Sequence, residues 1–485
     1  MSAVISGIPV LAIALAIIIS VPLFVLIAKR ILKKILIIIP IFVIVIALAV
    51  AVVPLIPNGE WQGIGGLFGG GYDDEGDESP PPPPVGGTGD IETPPVSYVP
   101  FYYSVNEDGE TCTITGPGNA MEPYLNIPET VDGYRVTAIA NSAFSGCMEL
   151  RGVVLPDSLE SIGERSFNYC RNLLTVTIGE NLSYIESTAF SGCERLVEVI
   201  DRAPNIECVA GVYNYRNGYL SKYALEVHSE SESKLIFEGE YVWYETDTTY
   251  LVSYEGNDDV ITLPQDLYGS RYTVYNCALR SNPDLREVYL TDGTREISGG
   301  AFTDCKNLEW IFIASGTEVF SVYSLQSCEK LMGINCDSEN PYFTSIDDNL
   351  YSKDGKTILK YASGKSAESF SVSEGVTAIG DVAFAHAINL RSVSLPESLT
   401  RIEVAAFMNC HRLKTVNIPA ATEYIGEAAF YITPLSTATF GNTEGWIVEI
   451  DDSLIEYISS SDLQDPSLAA DYLSQAYLSA GDWHK

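Results

Sequence analysis

Hydrophobic side chains follow two different patterns along the chain. From Ala3 to Ala28, and again from Ile35 to Pro57, they run almost unbroken, with no ionisable residue in either stretch. About 20 apolar residues cross the hydrocarbon core of a bilayer as a helix, so each stretch predicts a membrane-spanning helix. The six residues between them, Lys29-Arg30-Ile31-Leu32-Lys33-Lys34, carry all four basic residues of the first 57. Basic residues in short loops stay cytoplasmic, which predicts an inward turn and outward termini. The uncharged start, Met1-Ser2-Ala3-Val4, and the length of the apolar run favour an uncleaved hairpin over a signal peptide.

Further along, the apolar positions become periodic. Phe144, Phe167 and Phe190 are 23 residues apart, and so are Cys147, Cys170 and Cys193. Leu279, Phe302 and Leu325 repeat the period after one interruption, and Phe384, Phe407 and Phe430 after another. Nine segments, beginning at Leu150, Leu173, Leu196, Leu285, Leu308, Leu331, Leu390, Leu413 and Leu435, read Leu-x-x-(Val/Ile/Ala)-x-apolar, with Asp201 the exception in the last slot. Alternate side chains of a strand point to opposite faces, so Val153 and Leu155 go inward while Gly152 and Val154 face out. A single coil cannot bury its own apolar groups, whereas stacked neighbours bury them together. Nine such strands at the ~4.8 Å inter-strand spacing predict one parallel sheet on the order of 40 Å long.

The interruptions have their own signals. Asp354-Gly355, between Leu350–Lys353 and Lys356–Leu359, is a two-residue hairpin turn and predicts an insertion at 336–375. Residues 201–276 form a larger insertion, where 241–254 and 260–264 read as strands. Residues 58–97 hold a glycine-rich run, the acidic Asp73-Asp74-Glu75-Gly76-Asp77-Glu78 and five consecutive prolines, and predict a disordered linker. The domains expected are therefore a membrane hairpin at 1–57 (3–28 and 35–57), the linker at 58–97, a solenoid at 98–450 and a helical cap at 451–485. In that cap Asp465-Pro466 opens a helix with Leu468, Tyr472, Leu473 and Ala476 on one face.

Charge changes the picture in one respect. Beyond residue 57 there are 24 basic residues against 64 acidic ones. A protein that binds phosphates needs the opposite balance, so nucleic acid is excluded as a partner. Six of the ten cysteines (Cys147, Cys170, Cys193, Cys305, Cys328, Cys410) stand three residues before the repeat leucine, and such a slot predicts stacked buried thiols. With no Cys-x-x-Cys and four scattered histidines, no metal site or cofactor is expected. Neither a nucleophile elbow nor a phosphate loop is present, and no Asp/Glu pair stands out from so many carboxylates, so no catalytic residue is assigned and an enzyme is not expected.

Candidate binding residues come from the outward strand positions. In the last three coils these are small or polar, namely Ser392, Ser394, Thr415, Asn417, Thr437 and Thr439. In the middle coils they are Glu287, Tyr289, Trp310 and Phe312 on adjacent strands. Clustered exposed aromatics mark an interaction surface, unless the 201–276 insertion folds over and buries them.

Segments such as Ile139-Ala140-Asn141-Ser142-Ala143-Phe144-Ser145-Gly146-Cys147-Met148-Glu149-Leu150 and Leu395-Pro396-Glu397-Ser398-Leu399-Thr400-Arg401-Ile402 resemble the 23-residue repeats of BspA-like, or Treponema pallidum-type, leucine-rich repeat surface proteins. The resemblance covers roughly residues 111–445. It implies an α/β, β-rich leucine-rich repeat solenoid of stacked parallel strands, here expected to follow a two-helix transmembrane segment. It also implies a surface location and attachment to host matrix proteins or to other cells. The functional expectation is a membrane-anchored extracellular protein that binds a protein or glycan through its solenoid face, with the membrane as second partner through residues 3–57. A structural spacer of the cell envelope is the alternative, and a glycan-active enzyme a remote one.

Overall fold

The computed structural model describes residues 101–485, apart from 119–120, 231, 451–453 and 475–476. The chain winds into a β-solenoid of about 14 turns with stacked parallel strands. Each of the nine leucine segments forms a strand, from Gly152–Val154 and Thr175–Ile178 to Thr415–Ile418 and Thr437–Phe440. Their register is strict. Val153 lies beside Val176, and Val176 beside Val199, so like side chains stack on like.

These strands do not form the single sheet expected from the repeat. They divide into three parallel sheets, separated where the two insertions interrupt the stack. The first block holds Gly152–Val154, Thr175–Ile178 and Glu198–Asp201, the second Glu287–Tyr289, Trp310–Ile313 and Gly333–Cys336, the third Ser392–Ser394, Thr415–Ile418 and Thr437–Phe440. A second sheet in each block takes the short return strands, such as Ser161–Ile162, Thr294–Ile297 and Arg401–Ile402. The buried interior is correspondingly split into three main clusters, one per block.

Inside a block the ladder side chains stack at the coil spacing. Phe144, Phe167 and Phe190 have ring centroids 5.1 and 5.0 Å apart, with planes within 5°. In the third block Tyr361 enters the ladder ahead of Phe384, Phe407 and Phe430, at 5.0, 4.8 and 5.0 Å. Each of these phenylalanines is fully buried, a condition under which truncation to alanine costs roughly 3–5 kcal/mol. The thiols form a parallel ladder. Cys170 Sγ donates to the Phe144 carbonyl at 3.1 Å, Cys193 to Phe167 at 3.1 Å, Cys305 to Leu279 at 3.0 Å and Cys410 to Phe384 at 3.1 Å. In the last coil the hydroxyl of Thr433 takes over, donating to Phe407 at 2.6 Å. All ten cysteines are free thiols, and burial pushes those of Cys305 and Cys410 up to about 12.

Two parts of the fold-class expectation are corrected. The coils are β-strands and turns, not α/β units. The 23-residue coil returns through a two-residue strand and tight turns, with Val382, Ala405 and Ala428, and likewise His386, Asn409 and Ile432, in the left-handed region. That path leaves no length for an α-helix. The α-helices among the described residues are Ser460–Leu463 and Pro466–Ser474, at the C-terminal end. Among the described residues no helix is long and apolar enough to cross a membrane, so the two-helix membrane segment and the multi-pass location are not supported. The expected spans 3–28 and 35–57, and the linker 58–97, lie outside the described residues.

The C-terminal end closes the third block. Asp465 Oδ1 accepts from the backbone N–H of Ser467 and Leu468, which caps Pro466–Ser474. That helix buries Ala469, Ala470 and Leu473 in the same cluster as Phe430 and Leu435. Asp482–His484 then adds to the short-strand sheet beside Tyr424–Ile425.

Candidate binding face

The middle sheet runs Val260–Thr262, Glu287–Tyr289, Trp310–Ile313, Gly333–Cys336, all parallel. Its inward positions Ile261, Val288, Ile311 and Ile334 are buried, which by strand alternation turns Glu287, Tyr289, Trp310 and Phe312 outward. All four are half-buried. Glu287 lies beside Trp310, and Tyr289 beside Phe312, in the strand register.

That register produces a continuous aromatic surface. The rings of Tyr289 and Phe312 are parallel within 1° and 4.2 Å apart, and Trp310 lies 6.3 Å from Phe312 at 22°. The next strand makes room for the indole with Gly333, where an added Cβ would stand 2.1 Å from Trp310 Cζ3. Tyr289 donates its hydroxyl to Glu287 Oε2 at 3.0 Å, a bond that raises the phenol above its usual range and fixes the carboxylate at the edge of the stack. Beyond Phe312 the surface falls into a pocket of about 340 Å³, lined by Leu290, Asn335, Cys336 and Asp337 among others.

The 201–276 insertion joins this sheet as its edge strand, Val260–Thr262, and sends Trp243, Leu251 and Tyr272 into the core beneath it. Its strands Tyr241–Glu245 and Thr249–Tyr254 turn Val242, Tyr244 and Val252 against Leu174 and Val197 of the first block, in a small cluster of their own. The third block keeps a small polar outer row, in which Thr439 Oγ1 donates to Asn417 Oδ1 at 2.8 Å. Asn335 and Asp337 were not singled out from the sequence, although Asn335 occupies the outward position that follows Tyr289 and Phe312 in the register. Its signal was the same alternation carried one coil further. Asp337 lies just beyond the strand, where alternation gives no guide. Among the described residues no group of three or more His, Cys, Asp or Glu is placed to hold a metal ion.

The repeat register, the thiol ladder and the paired sheets agree with one family of sequences. The chain matches the BspA type leucine rich repeat region over residues 124–213, 272–361 and 356–475, more than half of its length. It belongs to the BspA-type leucine-rich repeat family. No curated protein matches it closely enough to count as a relative. Solved structures of bacterial leucine-rich repeat proteins are similar to it. One, from Eubacterium ventriosum, is 16% identical, with 70% of this chain and 69% of that one covered and a TM-score of 0.35. A leucine rich cell surface protein of Faecalibacterium prausnitzii is 21% identical, with 73% and 97% covered and a TM-score of 0.33. The pneumococcal vaccine antigen PcpA is 19% identical, with 71% and 80% covered and a TM-score of 0.34.

Proposed function

We propose that this BspA-type chain is a non-enzymatic binding scaffold whose middle block recognises a protein partner, in the manner of an adhesion or surface-interaction module. The observation that carries this reading is the Tyr289–Phe312–Trp310 stack, held half-exposed across adjacent strands and flanked by Glu287. Aromatic anchors of this kind dominate protein–protein hot spots, because a rigid ring excludes water over a large area at small entropic cost. The flanking carboxylates of Glu287 and Asp337 favour a partner that presents a basic side chain. An arginine laid on the ring face would gain a cation–π contact and a carboxylate together. The chain's excess of acidic residues points the same way, since it steers a basic patch toward the face.

Binding of the full chain to purified matrix proteins and to envelope proteins, with and without Trp310→Ala plus Phe312→Ala, tests this. The double substitution removes two anchors, and about a tenfold or larger loss of affinity for the true partner is expected. Undiminished binding removes the proposed face. Retention of sibling envelope proteins alone, with matrix proteins ignored, favours a structural envelope component.

A further inference from the structure

The boundary between the second and third blocks carries a substitution that the repeat does not explain. The residue just before each ladder side chain is alanine or serine in nine coils, from Ala143 and Ser166 to Ala406 and Ala429, and it is buried in all of them. In the tenth it is Lys360. The register is secure, because Tyr361 N–H donates to the Ala383 carbonyl at 2.8 Å just as Phe384 N–H donates to that of Ala406 at 2.7 Å.

Lys360 is 4% exposed. Its Nζ donates to the carbonyl of Val382 at 2.8 Å, while an ammonium has three hydrogens to place. Among the described residues no carboxylate stands within ion-pair distance of it, and burial pushes the amine down to about 8. A buried ammonium with no counter-anion is an expensive arrangement.

Beside Lys360 lies a cavity of about 210 Å³. It opens where the short-strand sheet breaks between Val319–Phe320 and the next block, and where Leu325 occupies the ladder slot. Leu325, Ala385 and Met408 supply apolar wall, and His386 lines the cavity together with Lys360. Desolvation, and then the charge of Lys360, hold the His386 imidazole below its ordinary value, so it is a neutral polar group. Tyr323, 46% exposed, and Val404, 36% exposed, stand at the mouth. No Asp or Glu lines this space; the nearby carboxylate of Asp381 is engaged at the mouth, accepting from the Tyr323 hydroxyl at 3.3 Å and the Val404 N–H at 3.2 Å.

We propose that the cavity is a binding site for a small carboxylic acid with an apolar body, its carboxylate meeting Lys360 and its hydrocarbon lying against Leu325, Ala385 and Met408. The carboxylate supplies the counter-charge that Lys360 lacks, and an apolar cavity of about 150 Å³ is already enough for a benzene-sized group. The site is separate from the aromatic face and does not rest on the function proposed for it.

Titration calorimetry of the full-length chain with octanoate, octanol and octylamine tests the proposal. Octanoate is expected to bind saturably, octanol at least tenfold more weakly, and octylamine not at all. Lys360→Met keeps the bulk and removes the charge, and should weaken octanoate at least tenfold. Ala385→Leu fills the cavity with the lysine intact, and should abolish binding. Near-ultraviolet circular dichroism reports whether each variant is folded, and the selectivity of the unsubstituted chain stands without them. The proposal is overturned if octanol binds as well as octanoate, if both folded variants bind octanoate undiminished, or if the unsubstituted chain shows no saturable binding.

Discussion

At the boundary between the first and second blocks, the chain inserts two strands whose alternate side chains serve different clusters. Val242, Tyr244 and Val252 cover Leu174 and Val197, while Trp243 and Leu251 enter the core that follows. Most of the buried charged groups there are matched, although the Trp243 indole N–H has no acceptor among the described residues. Buried Arg195 donates to the carbonyls of Cys277 and Ala278 and to Asn172 Oδ1, and ion pairs join Arg280 to Glu194 and Arg151 to Glu255. The fully buried Glu198 accepts from Thr175, Ser233 and the Lys234 N–H, and meets His228 Nε2 at 2.9 Å. At the boundary between the second and third blocks, the inserted strand Phe343–Ile346 pairs with Asn349–Ser352, which pairs with Thr357–Lys360, and a cavity opens beside a lysine with no anionic partner. An interruption of a solenoid can therefore be closed where the inserted chain supplies apolar cover and partners for the buried charges. Where it supplies less, the gap becomes a place for a ligand.

The largest expected effect is at the filled boundary. Tyr244→Ala removes a fully buried ring together with its hydrogen bond to Glu226, and should cost about 4 kcal/mol. Native-state hydrogen exchange should show the loss in Thr175–Ile178 and Tyr241–Glu245 before the third block, and uniform loss would mean that the blocks are not separate units. Arg195→Met removes one of two donors from each of the buried Cys277 and Ala278 carbonyls, which keep the N–H groups of Arg280 and Tyr254, and about 2 kcal/mol should be lost in the same experiment. An unchanged exchange pattern would mean that the guanidinium only fills space.

The open boundary should respond in the opposite direction. Lys360 has a folded value of about 8 against an ordinary 10.5, so between these the unfolded chain binds the extra proton and stability rises with pH. Below pH 8 both states are charged, and the whole cost, on the order of 3 kcal/mol, is present. Lys360→Met should therefore exceed the unsubstituted chain in stability at pH 7 and lose most of that advantage by pH 10.5. Denaturation midpoints of the two chains across this range read the difference directly, and a constant gap would rule out the lysine's charge as its cause. The smallest effect concerns the thiol ladder. Thr433 already performs its role with a hydroxyl, so Cys410→Thr should change stability by less than about 1 kcal/mol. Cys410→Val, which leaves the Phe384 carbonyl with the Ala387 N–H alone, should cost about 0.5–1 kcal/mol more by thermal unfolding.

Much of this was legible in the sequence, and the reasons differ from residue to residue. The nine leucine strands could be placed because a period of 23 combined with strict alternation fixes which face every side chain takes. The outward run Glu287, Tyr289, Trp310 and Phe312 was legible for the same cause, though its usefulness depended on where the 201–276 insertion lies. Lys360 could not be found that way. It belongs to a coil whose ladder residue, Tyr361, is 36 positions after Leu325 instead of 23, so its place in the small-residue slot is visible only once the strands are paired. Glu198 was hidden for a related reason, since its partners come from 30 and more residues further along the chain.

Period and alternation are local, and they were sufficient to dictate a stacked interior of leucine, phenylalanine and thiol, because each coil repeats the same inward set and cannot hide it alone. Where the stack divides is not local. Three sheets instead of one, return paths without α-helices, a filled boundary and an open one all depend on how inserted strands of irregular length pack against coils remote in sequence. Those contacts are chosen by volume and by the pairing of buried polar groups in three dimensions, quantities that no spacing of residues along a chain records.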